Sequence, residues 1–215
     1  MKLLLSLVSL SLLTSCGVRS YNHSPITPIQ TFDNIQEVTA NQNRPFITQP
    51  QQEHYSICHN HSCAEFSYIS LSKQQWQSVE ALFTPLAASA EQEREQIKSA
   101  ISLLESMTGQ QAGTNNDLAK NSLSLGTRGQ LDCIDEATNT TVYLRLLFNA
   151  GLLKRHLQAS RTSRGGLIAP HNTATILETD SNTRYAVDSW FYANGEQPVI
   201  LPLSTWKSGW KPKNE

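Results

Sequence analysis

Between residues 73 and 83, Trp76, Val79, Leu82 and Phe83 recur at three- and four-residue spacing behind Ser72, which predicts an amphipathic helix over 73–83. A second stripe, Ile97, Ala100, Ile101, Leu104 and Met107, follows Ser89 and Gln92, which are spaced as a capping box. Gly109 stands where that helix should end. Ile134, Ala137, Thr141, Leu144 and Phe148 make the stripe of a third helix, stopped near Gly151. Between them, residues 110–130 carry Gly113, Gly126 and Gly129 with few large apolar side chains and predict a loop. Beyond Gly151 the period drops to two. Residues 171–178 and 184–191 predict strands joined by a turn at Asp180-Ser181-Asn182, and 198–203 predicts a third. Helices followed by strands imply an α+β domain with a small antiparallel sheet.

The start of the chain has a different pattern. Lys2 precedes an apolar run over 3–13 that is too short for a bilayer span of about 20 residues, and it reads as a removed leader. Leu13-Thr14-Ser15-Cys16, directly after that run, resembles the lipobox of bacterial lipoproteins. The resemblance implies a signal peptide over 1–15, diacylation of the Cys16 sulfur and a membrane anchor made of acyl chains. Gly17, in place of an aspartate, further implies an outer-membrane lipoprotein facing the periplasm. Each buried methylene contributes roughly 0.8 kcal/mol, so two or three chains anchor durably where one does not. The plain alternative is a secretory signal with a chance cysteine. Residues 16–54, with Pro25, Pro28, Pro45 and Pro50, many Gln and Asn and no apolar period, predict a flexible tether, leaving 55–215 as the folded domain.

Charge narrows the function. Seventeen Lys and Arg balance 18 Asp and Glu, for a net charge of -1, so the chain lacks the basic stripe that phosphate contacts require and nucleic acid is excluded as a partner. Ser, Thr, Asn and Gln together make up a third of the residues, a composition suited to an extracytoplasmic protein with a modest core. Arg145, Lys154, Arg155, Arg161 and Arg164 form a basic stretch without interleaved aromatic residues and predict a solvated face. His156, among them at the end of the third helix, predicts a solvated histidine.

Three cysteines remain once Cys16 is assigned to lipid. Cys58 and Cys63 flank His59-Asn60-His61-Ser62, and in an oxidising compartment they are expected to close a small disulfide loop. Two thiolates and the imidazoles of His59 and His61 are also zinc ligand types, but four ligands within six residues would strain a tetrahedral shell. The disulfide leaves Cys133 unpaired. Gly129-Gln130-Leu131-Asp132-Cys133-Ile134-Asp135-Glu136-Ala137 places that thiol where loop becomes helix, and the unpaired N–H groups and positive dipole end of a first turn favour a thiolate. His171 opens the first predicted strand after the helices and Asp188 lies in the second, which supplies nucleophile, base and orienting carboxylate.

Asp-Cys-x-Asp-x-Ala opening a helix, then a histidine opening a strand and an aspartate on the next, resembles the transglutaminase-like cysteine hydrolases. It is most similar to the bacterial transglutaminase-like cysteine proteinases. The resemblance covers about residues 129–191. It implies a papain-like α+β fold with Cys133 as nucleophile, His171 as general base and Asp188 as its orienter. Asp188-Ser189-Trp190 is similar to the Asn-Ser-Trp of papain-like proteases, which implies that Trp190 keeps water off Asp188. Gln130 stands closer to the cysteine than the oxyanion glutamine of papain-like enzymes, so the backbone N–H of Cys133 is the expected donor. Some family members bind calcium through acids flanking the cysteine. Asp132 matches one such position but Ile134 occupies the other; Asp135 and Glu136 are otherwise expected as first-turn acids that favour the helix dipole.

The register of the predicted hairpin leaves His171 about three positions beyond the partner of Asp188, so a bulge or a longer loop is required to join them. Trp206 and Trp210 are expected to close the core, with a substrate groove as the alternative. Together these readings predict a lipid-anchored envelope hydrolase that attacks amide bonds through a thioester on Cys133, its substrates envelope proteins or peptidoglycan peptides. The rival is a non-catalytic envelope lipoprotein that uses the fold for binding or assembly, with Cys133 a small buried core residue.

Overall fold

A computed structural model describes residues 45–121, 128–165 and 170–213. Cys16, the leader, most of the tether and Gly126 therefore lie outside the described residues. The architecture is α+β: strands β1 (Tyr55–His59) and β2 (Glu65–Ile69), helices α1 (Lys73–Ala81), α2 (Ala90–Ala112) and α3 (Cys133–Asn149), strands β3 (His156–Arg164), β4 (His171–Glu178), β5 (Arg184–Asp188) and β6 (Val199–Pro202), and a short helix α4 (Leu203–Lys207). The four later strands form an antiparallel sheet in the order β3-β4-β5-β6, and among the described residues β1 pairs with β2 alone. Helix α3 is buried at every position from Asp135 to Leu147 because it lies between the hairpin and the sheet, touching β1 on one side and β3, β4 and β5 on the other. No helix among the described residues is long and apolar enough to cross a membrane.

Local chemistry explains the helix ends. Ser72 caps α1 through a reciprocal box with Gln75, and Ser89 accepts from the Gln92 amide to start α2. Ile97, Ala100, Ile101 and Leu104 are all buried, as their spacing requires. Helix α2 does not stop at Gly109, however. A Cβ at Gly109 would lie 2.7 Å from the Asn194 side-chain oxygen, so the glycine permits a close approach, and the left-handed Gly113, φ 76°, ends the helix.

Two strands precede the helices, contrary to the helices-first order, because Ser56, Ile57, Cys58 and Phe66 alternate too weakly to announce a hairpin. Asn139 of α3 clamps that hairpin: its Oδ1 accepts from the Cys58 amide at 2.6 Å and its Nδ2 donates to the Cys58 carbonyl at 2.9 Å. Packing also begins ahead of residue 55. Phe46 is buried edge-on against Phe66 at 5.6 Å, and the Ile47 amide donates to Ser56 Oγ, so residues 45–54 belong to the domain rather than to the tether.

The residues after Gly151 correct two expectations. His156 is no solvated helix end; it opens β3, fully buried, with Nδ1 2.9 Å from Glu93 Oε1. The basic stretch is no continuous solvated face either. Arg145 is buried against Gln158, Arg161 donates to Thr138, and Arg164 lies over Trp206. Burial lowers the Arg145 and Arg161 guanidinium pKa to about 10 each.

Candidate active site

Helix α3 carries Cys133 at its first position, β4 carries His171 at its first position and β5 carries Asp188 at its last. Because Ala174 pairs with Val187, Asp188 stands opposite residue 173, and His171 is two positions further on the same face. The 179–183 connection is long enough to set this register. No bulge is needed between β4 and β5, and the one present lies between β3 and β4, at Ala159 and Thr162. His171 Nε2 then donates to Asp188 Oδ2 at 2.7 Å.

The half-exposed Cys133 thiol stands beside the start of β4, close enough to His171 to act on its charge. Its Sγ also lies 3.7 Å from the Pro170 carbonyl and accepts from Asn172 Nδ2 at 3.6 Å. Burial disfavours the charged imidazole, but the hydrogen bond to Asp188 and then the interaction with Cys133 outweigh it and raise the His171 pKa to about 9. His171 is therefore an imidazolium at neutral pH, held between a carboxylate and a sulfur.

Rings enclose that pair. Trp190, Phe191 and Trp206 have centroids 4.6, 5.3 and 5.4 Å from the His171 ring, an arrangement that excludes water and favours a cation. Asp188 is 1% exposed and takes two further donors, the Trp206 indole N–H at 2.6 Å and the Trp190 amide at 3.3 Å. Trp190 thus lies against the histidine, while Trp206, fully buried, both closes the small core around Ala186 and Leu201 and bonds the carboxylate. Trp210 packs against Phe191 at 5.7 Å.

The thiol is positioned from its other side by a turn that the sequence did not announce. Asn60, His61, Ser62 and Cys63 all have positive φ, between 55° and 65°, an uncommon conformation for four consecutive residues with side chains. Cys58 and Cys63 are joined as a disulfide across this turn, so neither sulfur is a thiolate for zinc. The turn aims its amides at the α3 cap: His61 and Cys63 donate to Asp135 at 2.8 and 2.7 Å, and Ser62 donates to Asp132 at 2.9 Å. Asp132 spends its other oxygen on the Ile134 and Asp135 amides, as an N-cap does. With both oxygens engaged by N–H donors, and an apolar side chain at Ile134, these residues do not fit a calcium shell.

Asp135 and Glu136 are first-turn acids of α3, as expected, and both are buried. Burial first, and then the Asp132 charge, raise Asp135 to about 7 against its backbone donors. Burial likewise raises Glu105 to about 7 and Asp117 to about 6, and pushes Glu136, beside both, well above the ordinary carboxylate range. Gln130 is committed elsewhere: its Oε1 accepts from the Leu118 amide and the Asn121 side chain, and its Nε2 donates to the Asn116 carbonyl at 2.8 Å. The Cys133 amide, in the first turn of α3, has no intrahelical partner.

Sequence reasoning missed Asn172, Trp206 as a donor to Asp188, and the 60–63 turn. The first had a signal, since it neighbours the proposed base; the other two depend on distant segments meeting. No protein-family model matches the chain, and no curated protein or solved structure matches it either.

Proposed function

We propose that this protein is a lipid-anchored envelope cysteine hydrolase of transglutaminase-like, papain-like fold, acting on amide bonds. The observation that carries the reading is His171, bonded to Asp188 at the start of a strand whose flanking Pro170 carbonyl and Asn172 side-chain amide meet the thiol of Cys133, three residues drawn from three separate elements. The Cys133 sulfur attacks the amide carbonyl carbon, a C–S bond forms, and the carbonyl π electrons move to oxygen, where the Cys133 amide donates. Collapse of that intermediate breaks the C–N bond. The His171 imidazolium gives its proton to the departing amine, leaving a thioester on Cys133. Water, deprotonated by the now neutral His171, releases a carboxylic acid; an amine in its place gives a new amide. Asp188 keeps the ring oriented throughout, with Trp206 and Trp190 fixing Asp188. The Leu13-Thr14-Ser15-Cys16 motif supports anchoring through acylated Cys16, with the active face directed at periplasmic proteins or peptidoglycan peptides.

Iodoacetamide labelling at pH 6 tests the nucleophile. Cys133 is expected to alkylate about tenfold to a hundredfold faster than a simple thiol, which is almost wholly protonated there, and the His171→Ala variant is expected to lose that advantage. Equal, slow labelling of both proteins would leave a non-catalytic binding lipoprotein.

A further inference from the structure

The cleft beside His171 has a chemistry that the triad does not use. Its volume is about 530 Å³, within the range of ligand sites. Lys120, Arg164, Lys207 and Lys211 line it, and among the described lining residues there is no acid. Trp190 and Phe191 supply an apolar wall. In a chain of net charge -1, four cations around one concavity depart sharply from the average surface.

Two of those cations are already placed. The Arg164 guanidinium lies 4.4 Å from the Trp206 ring centroid and donates to the Trp206 carbonyl. Lys207 Nζ donates to Thr162 Oγ1 at 2.9 Å and to the Ser163 carbonyl. Part of the entropy cost of holding an anion is therefore met before a ligand arrives. Asp188 does not neutralise the group, because it is buried behind His171 and occupied by three N–H donors.

We propose that this cleft selects acidic peptides, with carboxylates within a few residues of the amide that Cys133 attacks. The proposal rests on the reading of Cys133 as nucleophile. Ammonium and guanidinium groups pair with carboxylates through charge-assisted hydrogen bonds, and the aromatic wall takes the aliphatic parts between them. The cations surround a concave site flanked by rings, which suits a peptide entering the cleft better than a plane of lipid headgroups.

Full-length protein in detergent micelles, carrying Cys133→Ser to prevent turnover, is titrated against fluorescein-labelled hexapeptides that contain two glutamates, two glutamines or two lysines. Fluorescence anisotropy reads the affinity. At about 0.01 M salt the acidic peptide is expected to bind at least about tenfold more tightly than the neutral one, with the basic peptide weakest, and the advantage shrinks by about 0.15 M as screening shortens. Lys207→Glu combined with Lys211→Glu abolishes the preference. Equal affinities overturn the proposal, and so does an acidic preference that survives the double reversal. Displacement of the acidic peptide by glycerol phosphate more readily than by free glutamate peptide assigns the cations to a lipid headgroup and also overturns it. Because no turnover is needed, this measurement and the Cys133 labelling fail independently.

Discussion

Two histidine–carboxylate pairs occupy opposite ends of the β3–β4 ladder, and only one of them stands at a site. His156 lies opposite Glu178 at one end, and His171 lies opposite Arg164 at the other. Their bonds are alike: 2.9 Å from His156 to Glu93 and 2.7 Å from His171 to Asp188. What differs is the second nitrogen. That of His156 faces Arg94 at 3.3 Å in an interior with no exposure, whereas His171 is 12% exposed, lines a cleft and lies near the Cys133 thiol. A bonded histidine–carboxylate pair is thus a building unit that either seals a helix to a sheet or prepares a nucleophile. Its neighbours and its access to solvent decide which.

The carboxylates divide in the same way. Glu93 is buried, and burial alone would raise its pKa, but the His156 hydrogen bond and the Lys154 and Arg155 amides outweigh that and hold it below the ordinary value. Glu136 lies deeper and faces Glu105 and Asp117, and burial and those charges act in one direction. Donors and depth together separate the two cases.

The largest expected effect breaks the structural pair. Glu93→Ala leaves the His156 ring and two backbone amides without their acceptor, and it is expected to cost about 3–5 kcal/mol in urea unfolding. Under conditions where the variant remains folded, Cys133 labelling should stay at the parent rate. A loss of labelling there would show that the two pairs are coupled through β3 and β4. A smaller effect is expected from Trp206→Phe, which keeps most of the ring and removes one donor to Asp188. It should cost about 1–3 kcal/mol, and the alkaline midpoint of Cys133 labelling should move upward because His171 then holds that oxygen alone.

The mildest test uses pH. His171 has a raised pKa, so its contribution to stability is complete below about 6.5 and is lost as pH rises through about 9. Glu93 has a lowered pKa, so its contribution is present above the ordinary carboxylate value of 4.5 and is lost as pH falls through its folded value. The two pairs therefore weaken at opposite ends of the scale. Glu105, Asp117 and Asp135, all raised, contribute stability that is complete below their ordinary carboxylate values and is lost as pH climbs through about 6 to 7. Thermal unfolding should accordingly show greatest stability on the mildly acidic side of neutrality, declining toward pH 9. A stability maximum above pH 8 would contradict these assignments.

Legibility followed the range of the interactions. The three helices were readable because their apolar stripes and the caps at Ser72 and Ser89 are local, although α2 passes Gly109 for a packing reason supplied by Asn194. Strands β4 and β5 were readable from alternation, but β5 ends at Asp188, where the chain turns away toward Trp190. Strand β3 was hidden because its start, from Lys154 to His156, looks like a charged helix end until Glu93 is placed beside it. The early hairpin was hidden for a similar reason, since Asn139 and the α3 cap hold it from elsewhere in the chain.

The sequence by itself determined the odd cysteine at a helix start, the disulfide partners, and a histidine and an aspartate on consecutive strands, because residue type and short-range spacing carry that information. Only the tertiary structure decided which histidine meets the thiol, that Trp206 rather than Trp190 bonds the buried carboxylate through its indole, that Asp132 and Asp135 serve the 60–63 turn rather than a cation, and that four cations gather around the cleft. Each of these is a meeting between segments tens of residues apart, and packing, unlike periodicity, leaves no local trace of the partner it will choose.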